Sequence, residues 1–282
     1  MSRDARPAPE PFFLATANAQ RFCIFHSPAG RARGGVLYLH PFADEMNKSR
    51  RMAALQSRAL AAEGYAVLQI DLFGCGDSGG DFGDATWAQW RDDVAAGMQW
   101  LQARVSGAIS WWGLRLGAAL ALDAARNGAP PASFVLWQPA LDGAAMLTQF
   151  LRLKIASQML SEGRAESGMQ DLRRRIDAGE TIEVAGYPMT RGLTAGIEAV
   201  ALDALAPGAA AVHWFEIVGQ ADGPLPPAAR RVVDGWIARG ARVAVHCVAG
   251  PRFWSTPEIA ECPELVARTT AVWTGVGQEG GR

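Results

Sequence analysis

One stretch near the middle of the chain, residues 109–120, most constrains the fold. It reads ISWWGLRLGAAL, a short apolar strand followed by Gly-x-Arg-x-Gly and then by a helix rich in Ala and Leu. Two glycines at this spacing, Gly113 and Gly117, let strand and helix backbones pass so closely that a Cβ atom would collide. The pattern therefore predicts a sharp strand-to-helix turn that lifts the side chain of Arg115 above the sheet.

Apolar strands alternate with amphipathic helices on both sides of this turn. Besides the strand of the turn, buried strands are predicted at 34–41, 66–71, 134–138, 212–218 and 242–248, after a leading hairpin within 12–26. Helices are predicted at 48–63, at 227–239 and from Pro263 onward, and a further long helix is capped by Asp84 or Thr86 and extends to Val105. Regular alternation requires crossover connections, so we expect an α/β fold with a mainly parallel eight-stranded sheet and helices on both faces.

The alternation breaks at residues 141–205, where helical segments occur with no clear strand between them. Because strands and helices alternate again afterwards, we interpret 141–205 as a helical cap inserted into a core formed by residues 1–140 and 206–282. Caps in such positions usually wall a pocket at the carboxyl ends of the strands.

Net charge, apolar runs and cysteine spacing indicate which partners, membrane segments and metal sites to expect. The 282 residues carry a net charge of −1, which gives no electrostatic reason to expect nucleic acid. No run approaches the ~20 apolar residues of a membrane-spanning helix, and the polar, Pro-rich residues 1–12 lack the apolar core of a signal peptide. The four cysteines have no Cys-x-x-Cys spacing, and no cluster has metal-ligand spacing. We therefore expect a cytoplasmic protein with free thiols and with no metal or cofactor.

Three motifs follow strands in a fixed order, namely His40-Pro41-Phe42, Asp71-x-x-Gly-x-Gly-x-Ser78 and Gly-x-Arg115-x-Gly. In this order they resemble the α/β-hydrolase fold over nearly the whole chain. More narrowly, residues 47–52, 74–78 and 112–115 resemble the exosortase A system-associated hydrolase 2 family, which accompanies bacterial gene clusters for exopolysaccharide and protein sorting. The resemblance implies a hydrolase-type accessory of that metabolism, with exopolysaccharide or exosortase-system proteins as partners.

The resemblance also assigns roles to particular positions. Arg115 stands at the nucleophile position, and the backbone N–H groups of Phe42 and Leu116 stand where the oxyanion donors lie. Asp222, after the seventh strand, stands at the position of the catalytic acid. A turn-forming role for Asp222, which precedes Gly223, is an equally good interpretation.

Two parts of the usual Ser–His–acid reaction are missing from the sequence. A guanidinium stays protonated and offers only donors, so Arg115 cannot be a nucleophile. The histidine expected after the eighth strand is absent from residues 249–255. His246 comes several residues too early and is predicted to be a packed strand residue. The degenerate triad excludes serine-based hydrolysis and leaves open whether the chain is an enzyme.

Three interpretations remain. In the favoured one, the chain is a pseudoenzyme in which Arg115, beside a helix N-terminus, binds a small acyl or anionic ligand. The further ligand-binding candidates are His40, Asp44, Glu45 and Trp254. In the second, the chain hydrolyses an ester or thioester through Cys75 or through water activated by a carboxylate. In the third, Arg115 and the nearby charges are solvated and have no role.

Overall fold

The computed structural model describes residues 7–126, 128–162, 168–220 and 223–275. Its strands are β1 (Glu10–Thr16), β2 (Ala19–His26), β3 (Gly34–Leu39), β4 (Tyr65–Ile70), β5 (Ile109–Leu114), β6 (Ser133–Trp137), β7 (Ile182–Val184), β8 (Tyr187–Met189), β9 (Ala211–Val218) and β10 (Val243–Ala249). Its α-helices are α1 (Asp44–Ala62), α2 (Trp87–Gln102), α3 (Leu116–Arg126), α4 (Gly143–Glu162), α5 (Met169–Asp177), α6 (Arg191–Glu198), α7 (Pro227–Ala238) and α8 (Pro263–Thr274).

Eight of these strands form one sheet in the order β1-β2-β4-β3-β5-β6-β9-β10. Strands β1 and β2 pair antiparallel, as do β2 and β4, and every other neighbouring pair is parallel. The predicted mainly parallel eight-stranded sheet is thus confirmed. The turn at Arg115 follows β5, which lies in the middle of the sheet.

Helices cover both faces of the sheet. Helices α1 and α8 pack on one face through side chains such as Met52, Leu60 and Leu265, which are fully buried. Helices α2, α3 and α7 contribute Val94, Leu120 and Trp236 to the core of the other face. Every residue of β3 and β5 is buried, which is why these strands read as continuous apolar runs instead of alternating ones.

Helix α1 begins at Asp44, four residues before the predicted start at residue 48. The chain turns at Ala43, which has a φ of 50°, and Asp44 and Glu45 then occupy the first helical turn. Acidic side chains stabilise that end of a helix because its free N–H groups carry partial positive charge. The consequence is that Glu45 is held on a rigid element beside the β3 loop.

The segment between β6 and β9 contains strands that the sequence did not predict. Strands β7 and β8 form an antiparallel hairpin, joined through Ala185 and Gly186 with φ values of 50° and 84°. Positive φ at both central residues is the geometry of a tight two-residue hairpin turn. Such turns favour Asn-Gly or Asp-Gly, so an alanine at the first position removed the usual signal. Each strand has only three residues, too few for a recognisable alternation.

The longest helix of this segment is α4, with 20 residues. Leu153, Met159 and Leu160 on this helix are 50%, 58% and 90% exposed. Despite this apolar surface, no helix within the described ranges has the length and apolar composition needed to cross a bilayer. The inner side of α4 approaches the carboxyl ends of the strands, where the candidate site lies.

Candidate functional site

The turn between β5 and α3 places Arg115 in a left-handed backbone conformation, with a φ of 55°. A Cβ atom at Gly113 would lie 2.4 Å from the Ala118 Cα, and one at Gly117 would lie 2.3 Å from the Leu39 carbonyl oxygen. Real Cβ atoms do not approach backbone atoms so closely, so both positions require glycine. The close approach of strand and helix that the sequence predicted is therefore present.

Hydrogen bonds with the last residue of β6 and with the loop after it fix the backbone of this turn. The N–H of Arg115 donates to the Trp137 carbonyl at 3.0 Å, and the N–H of Ala140 donates to the Arg115 carbonyl at 3.1 Å. The Arg115 guanidinium also reaches the Gln138 carbonyl oxygen, with Nη1 at 3.5 Å. Gln138 itself has a φ of 41°. Arg115 and Gln138, two non-glycine residues with positive φ, are thus joined by a hydrogen bond.

Glu216 on β9 holds the side chain of Gln138. The sequence predicts a role in the site for neither residue. The Glu216 carboxylate accepts hydrogen bonds from Gln138 Nε2 at 2.7 Å and from Trp214 Nε1 at 2.9 Å. Gln138 Oε1 accepts from the N–H of Ile217 at 2.7 Å. Burial raises the pKa of Glu216, while these hydrogen bonds and the charge of Arg115 oppose the rise. The feature of the sequence that could have indicated Glu216 is its charge, since it lies inside the apolar run 212–218.

We expect Glu216→Gln to destabilise the fold. Two N–H donors converge on the carboxylate, and a glutamine in its place has only one acceptor oxygen, so one buried donor loses its partner. An unsatisfied buried donor costs about 1–2 kcal/mol. Urea unfolding followed by tryptophan fluorescence measures the change. An unaltered free energy of unfolding would mean that the carboxylate does not hold both donors.

The turn opens into a cleft of ≈ 320 Å³, here called the elbow cleft. Loops after three parallel strands meet there, since Phe42 follows β3, Arg115 follows β5 and Trp254 follows β10, and α4 closes the fourth side. Its lining comprises Phe42, Asp44, Glu45, Lys48, Arg115, Met146, Gln149, Phe150, Leu153, Trp254 and Ser255. Five of the residues singled out in the sequence therefore line one cavity, and the α4 side chains were not foreseen.

Arg115 is the cation at the centre of the elbow cleft, and its side chain is 18% exposed. Its Nε lies 3.3 Å from Glu45 Oε1, and its guanidinium carbon lies 5.5 Å from the centre of the Trp254 ring. Burial raises the pKa of Glu45, and Arg115 holds that rise back. Asp44 is exposed and pairs with Lys48 at 3.0 Å. The cleft therefore has two ion pairs and a largely apolar wall.

His40, predicted as a ligand-binding residue, does not line the elbow cleft and is 5% exposed. Its Nε2 accepts the N–H of Leu72 at 3.1 Å, so its Nδ1 carries the proton donated to the Pro41 carbonyl at 2.8 Å. Burial lowers the pKa of His40, which favours this neutral form. Both ring nitrogens thus hold the β3 and β4 loops together. His40, Phe42 and Leu116 border a much smaller cavity of ≈ 10 Å³, with Leu116 at the first position of α3.

Cys75 borders the same small cavity and is 6% exposed. Burial raises the pKa of its thiol, and the nearby carboxylate of Asp71 raises it further. Only the thiolate is an effective nucleophile, so this environment disfavours the cysteine mechanism.

We expect iodoacetamide to label Cys75 at least about tenfold more slowly than the half-buried Cys247 in the native protein. Peptide mass spectrometry measures both rates, with labelling in denaturant as the control, and faster labelling of Cys75 would contradict this placement.

His246 does not line the elbow cleft. Asp222 lies outside the described residues. His246 lies within β10, where its Nε2 is 3.3 Å from His213 Nδ1 and its ring stacks on Phe215. Within the part of the chain that the structure describes, no group of three His, Cys, Asp or Glu side chains is arranged to hold a metal ion.

Comparison with known proteins agrees with this architecture. Residues 30–183, more than half of the chain, match the family described as serine aminopeptidase, S33. The chain belongs to this family. None of the curated protein sequences matches it. The family is named for a serine enzyme, whereas the turn after β5 carries Arg115 where the sequence resemblance leads us to expect the nucleophile.

Solved structures share the fold at low sequence identity. Est1E from Butyrivibrio proteoclasticus with ferulic acid bound aligns with a TM-score of 0.66 and 15% identity, over 94% of this chain and 98% of that one. Alpha/beta hydrolase domain-containing protein 10 from mouse aligns with a TM-score of 0.62 and 14% identity, over 95% and 100%. A thermostable carboxyl esterase from Bacillus coagulans in complex with glycerol aligns at 0.61 and 14%, over 96% and 99%. These likenesses show the α/β-hydrolase fold.

Proposed function

We propose that this chain binds an amphipathic carboxylate or related anion in the elbow cleft and does not hydrolyse it by a serine mechanism. The observation that carries the proposal is the contact between Arg115 and Glu45, whose Nε and Oε1 lie 3.3 Å apart. An internal carboxylate already contacts the guanidinium that stands at the nucleophile position. Arginine suits this role because its planar fork donates two parallel hydrogen bonds to a carboxylate.

The apolar wall of the elbow cleft supports an acyl or aromatic ligand over a bare inorganic anion. Phe42, Phe150 and Trp254 are aromatic, and Leu153 is half exposed at the border of the cleft. A site with a few placed polar groups in an apolar wall is typical of small-molecule pockets. The structural neighbour Est1E holds ferulic acid, an aromatic carboxylic acid, which makes ferulate a suitable first probe.

The cellular setting of the proposal rests on sequence resemblance. The motifs at 47–52, 74–78 and 112–115 support an accessory role in bacterial exosortase and exopolysaccharide metabolism, with the protein acting in the cytoplasm. We also infer that residues 141–205 act as a cap over the site. Met146, Gln149 and Phe150 on α4 support this inference because they line the elbow cleft.

A second candidate function is hydrolysis of an ester or thioester by a carboxylate-activated water. Membership of the serine aminopeptidase S33 family favours retained hydrolysis, and Glu45 offers a carboxylate beside the β3 loop. In this alternative Glu45 acts as a general base, while the backbone N–H of Leu116 stabilises the developing oxyanion.

A paired screen separates the two functions. Purified protein is incubated with p-nitrophenyl acyl esters and acyl thioesters, and its melting temperature is measured with ferulate, with octanoate and with the neutral methyl ferulate. The binding proposal predicts no turnover above that of Glu45→Gln, together with stabilisation by the two carboxylates but not by the methyl ester. Turnover that is lost in Glu45→Gln would establish the second candidate in its place.

A further inference from the structure

Glu45 has one oxygen that the fold leaves without a partner. Its Oε1 contacts Arg115, whereas its Oε2 is buried and accepts no hydrogen bond from any described residue. An unpaired buried carboxylate oxygen costs free energy in the ionised form, and protonation lowers that cost because the neutral acid is less expensive to bury. The pKa of Glu45 is accordingly raised by burial. Glu45 therefore contacts the guanidinium that a ligand carboxylate would bind, although only one of its two oxygens has a partner there.

Few charged groups near Glu45 influence whether its carboxyl is ionised. On its own helix, Lys48 favours the ionised form and Asp44 opposes it, and these two pair with each other at 3.0 Å. The turn after β5 contributes Arg115. The α4 side chains facing the cleft, Met146, Gln149, Phe150 and Leu153, do not ionise, nor do Trp254 and Ser255. Arg115 is thus the main group that keeps Glu45 charged, and a second carboxylate on Arg115 would remove that support.

We propose that a carboxylate ligand displaces Glu45 from Arg115 and that Glu45 takes up one proton from solvent as the ligand binds. The ligand carboxylate then accepts hydrogen bonds from the Arg115 guanidinium, and the protonated Glu45 changes from an acceptor into an O–H donor. No covalent bond forms or breaks. This inference rests on the proposed function, and it adds that the affinity for a carboxylate ligand is linked to the uptake of a proton.

The sign of the linkage follows from the uptake of a proton on binding. Ligand binding favours protonated Glu45, so affinity is highest where Glu45 is already protonated in the free protein and falls as pH rises through its pKa. The slope approaches a tenfold loss of affinity per pH unit when one proton is taken up. We expect this dependence above the pH range in which the ligand's own carboxyl protonates.

Isothermal titration calorimetry of ferulate tests the inference when it is run in two buffers with different ionisation enthalpies. Wild-type protein should take up protons as ferulate binds, up to one per bound ferulate. Glu45→Gln mimics the protonated acid, so it should bind ferulate more tightly at pH 7, with no proton uptake and no pH dependence. Glu258→Gln, an exposed glutamate outside the cleft, should behave as wild type.

The outcomes distinguish this inference from the function on which it rests. Ferulate binding that is lost in Arg115→Ala, but that involves no proton uptake in wild type, would overturn the role of Glu45 and leave the binding site standing. Weaker binding in Glu45→Gln, with an unchanged melting temperature, would also overturn it. If neither ferulate nor octanoate binds in a way that depends on Arg115, both proposals are wrong.

Discussion

Replacing Arg115 with alanine should abolish most of the affinity for carboxylates. The guanidinium lies in the elbow cleft with only 18% of the side chain exposed, so its hydrogen bonds to an anion are formed in a partly desolvated site. Hydrogen bonds to charged groups contribute about 1.5–3 kcal/mol, which corresponds to a loss of about 10- to 150-fold in affinity. Titration of ferulate by calorimetry or tryptophan fluorescence measures this loss.

Two further variants test whether the loss of affinity comes from the guanidinium of Arg115 itself. Arg115→Lys keeps the positive charge but loses the planar fork, so we expect an intermediate loss of about tenfold. Arg230→Ala removes an exposed arginine on α7, away from the cleft, and should bind ferulate as wild type does. Equal affinity in wild type and Arg115→Ala would show that any anion bound by this protein is held elsewhere.

Gly117→Ala should have the largest effect on stability. The added Cβ would lie 2.3 Å from the Leu39 carbonyl oxygen and 2.5 Å from that of His40. Both obstacles are backbone atoms at the end of a central buried strand, so they cannot move aside as a flexible side chain would. We expect a loss of about 3 kcal/mol or more in the free energy of unfolding, measured by urea denaturation.

Gly235→Ala is the matched control. Gly235 lies within α7 at negative φ, and a Cβ there would meet nothing nearer than the Arg239 side chain at 3.7 Å. The same chemical change should therefore stabilise the protein by about 0.5–1 kcal/mol, since alanine favours the helix over the unfolded chain. If Gly117→Ala is as stable as Gly235→Ala, then strand and helix do not meet as closely as the structure has them.

The sequence predicted the elements that depend on local pattern. Continuous apolar runs identified the central strands, and Gly-x-Arg-x-Gly identified the turn at Arg115 because only glycine permits that approach of two backbones. The hairpin of β7 and β8 was missed because Ala185 occupies a turn position where asparagine or aspartate gives the signal. The early start of α1 was missed because Asp44 and Glu45 are equally typical of loops.

The site was less predictable because it is assembled from distant parts of the chain. The sequence indicated Arg115 and its likeness to a nucleophile position, but not that Glu45, 70 residues earlier, contacts it. The support of Arg115 by Gln138 and Glu216 depends on the neighbouring positions of β5, β6 and β9 in the sheet. His40 and Cys75 were expected near the cleft from their loops, but their burial depends on packing that no local pattern reveals.

A crystal structure of the protein with ferulate bound would show whether Arg115 holds the ligand carboxylate. We expect this carboxylate in the elbow cleft, with its two oxygens about 2.7–2.9 Å from guanidinium nitrogens of Arg115, as in a charge-assisted bidentate pair. We also expect the aromatic ring against Phe42, Phe150 or Trp254, and Glu45 displaced from Nε. Ferulate bound at another place, or bound in the cleft while Arg115 still pairs with Glu45 and does not contact the ligand, would contradict this expectation.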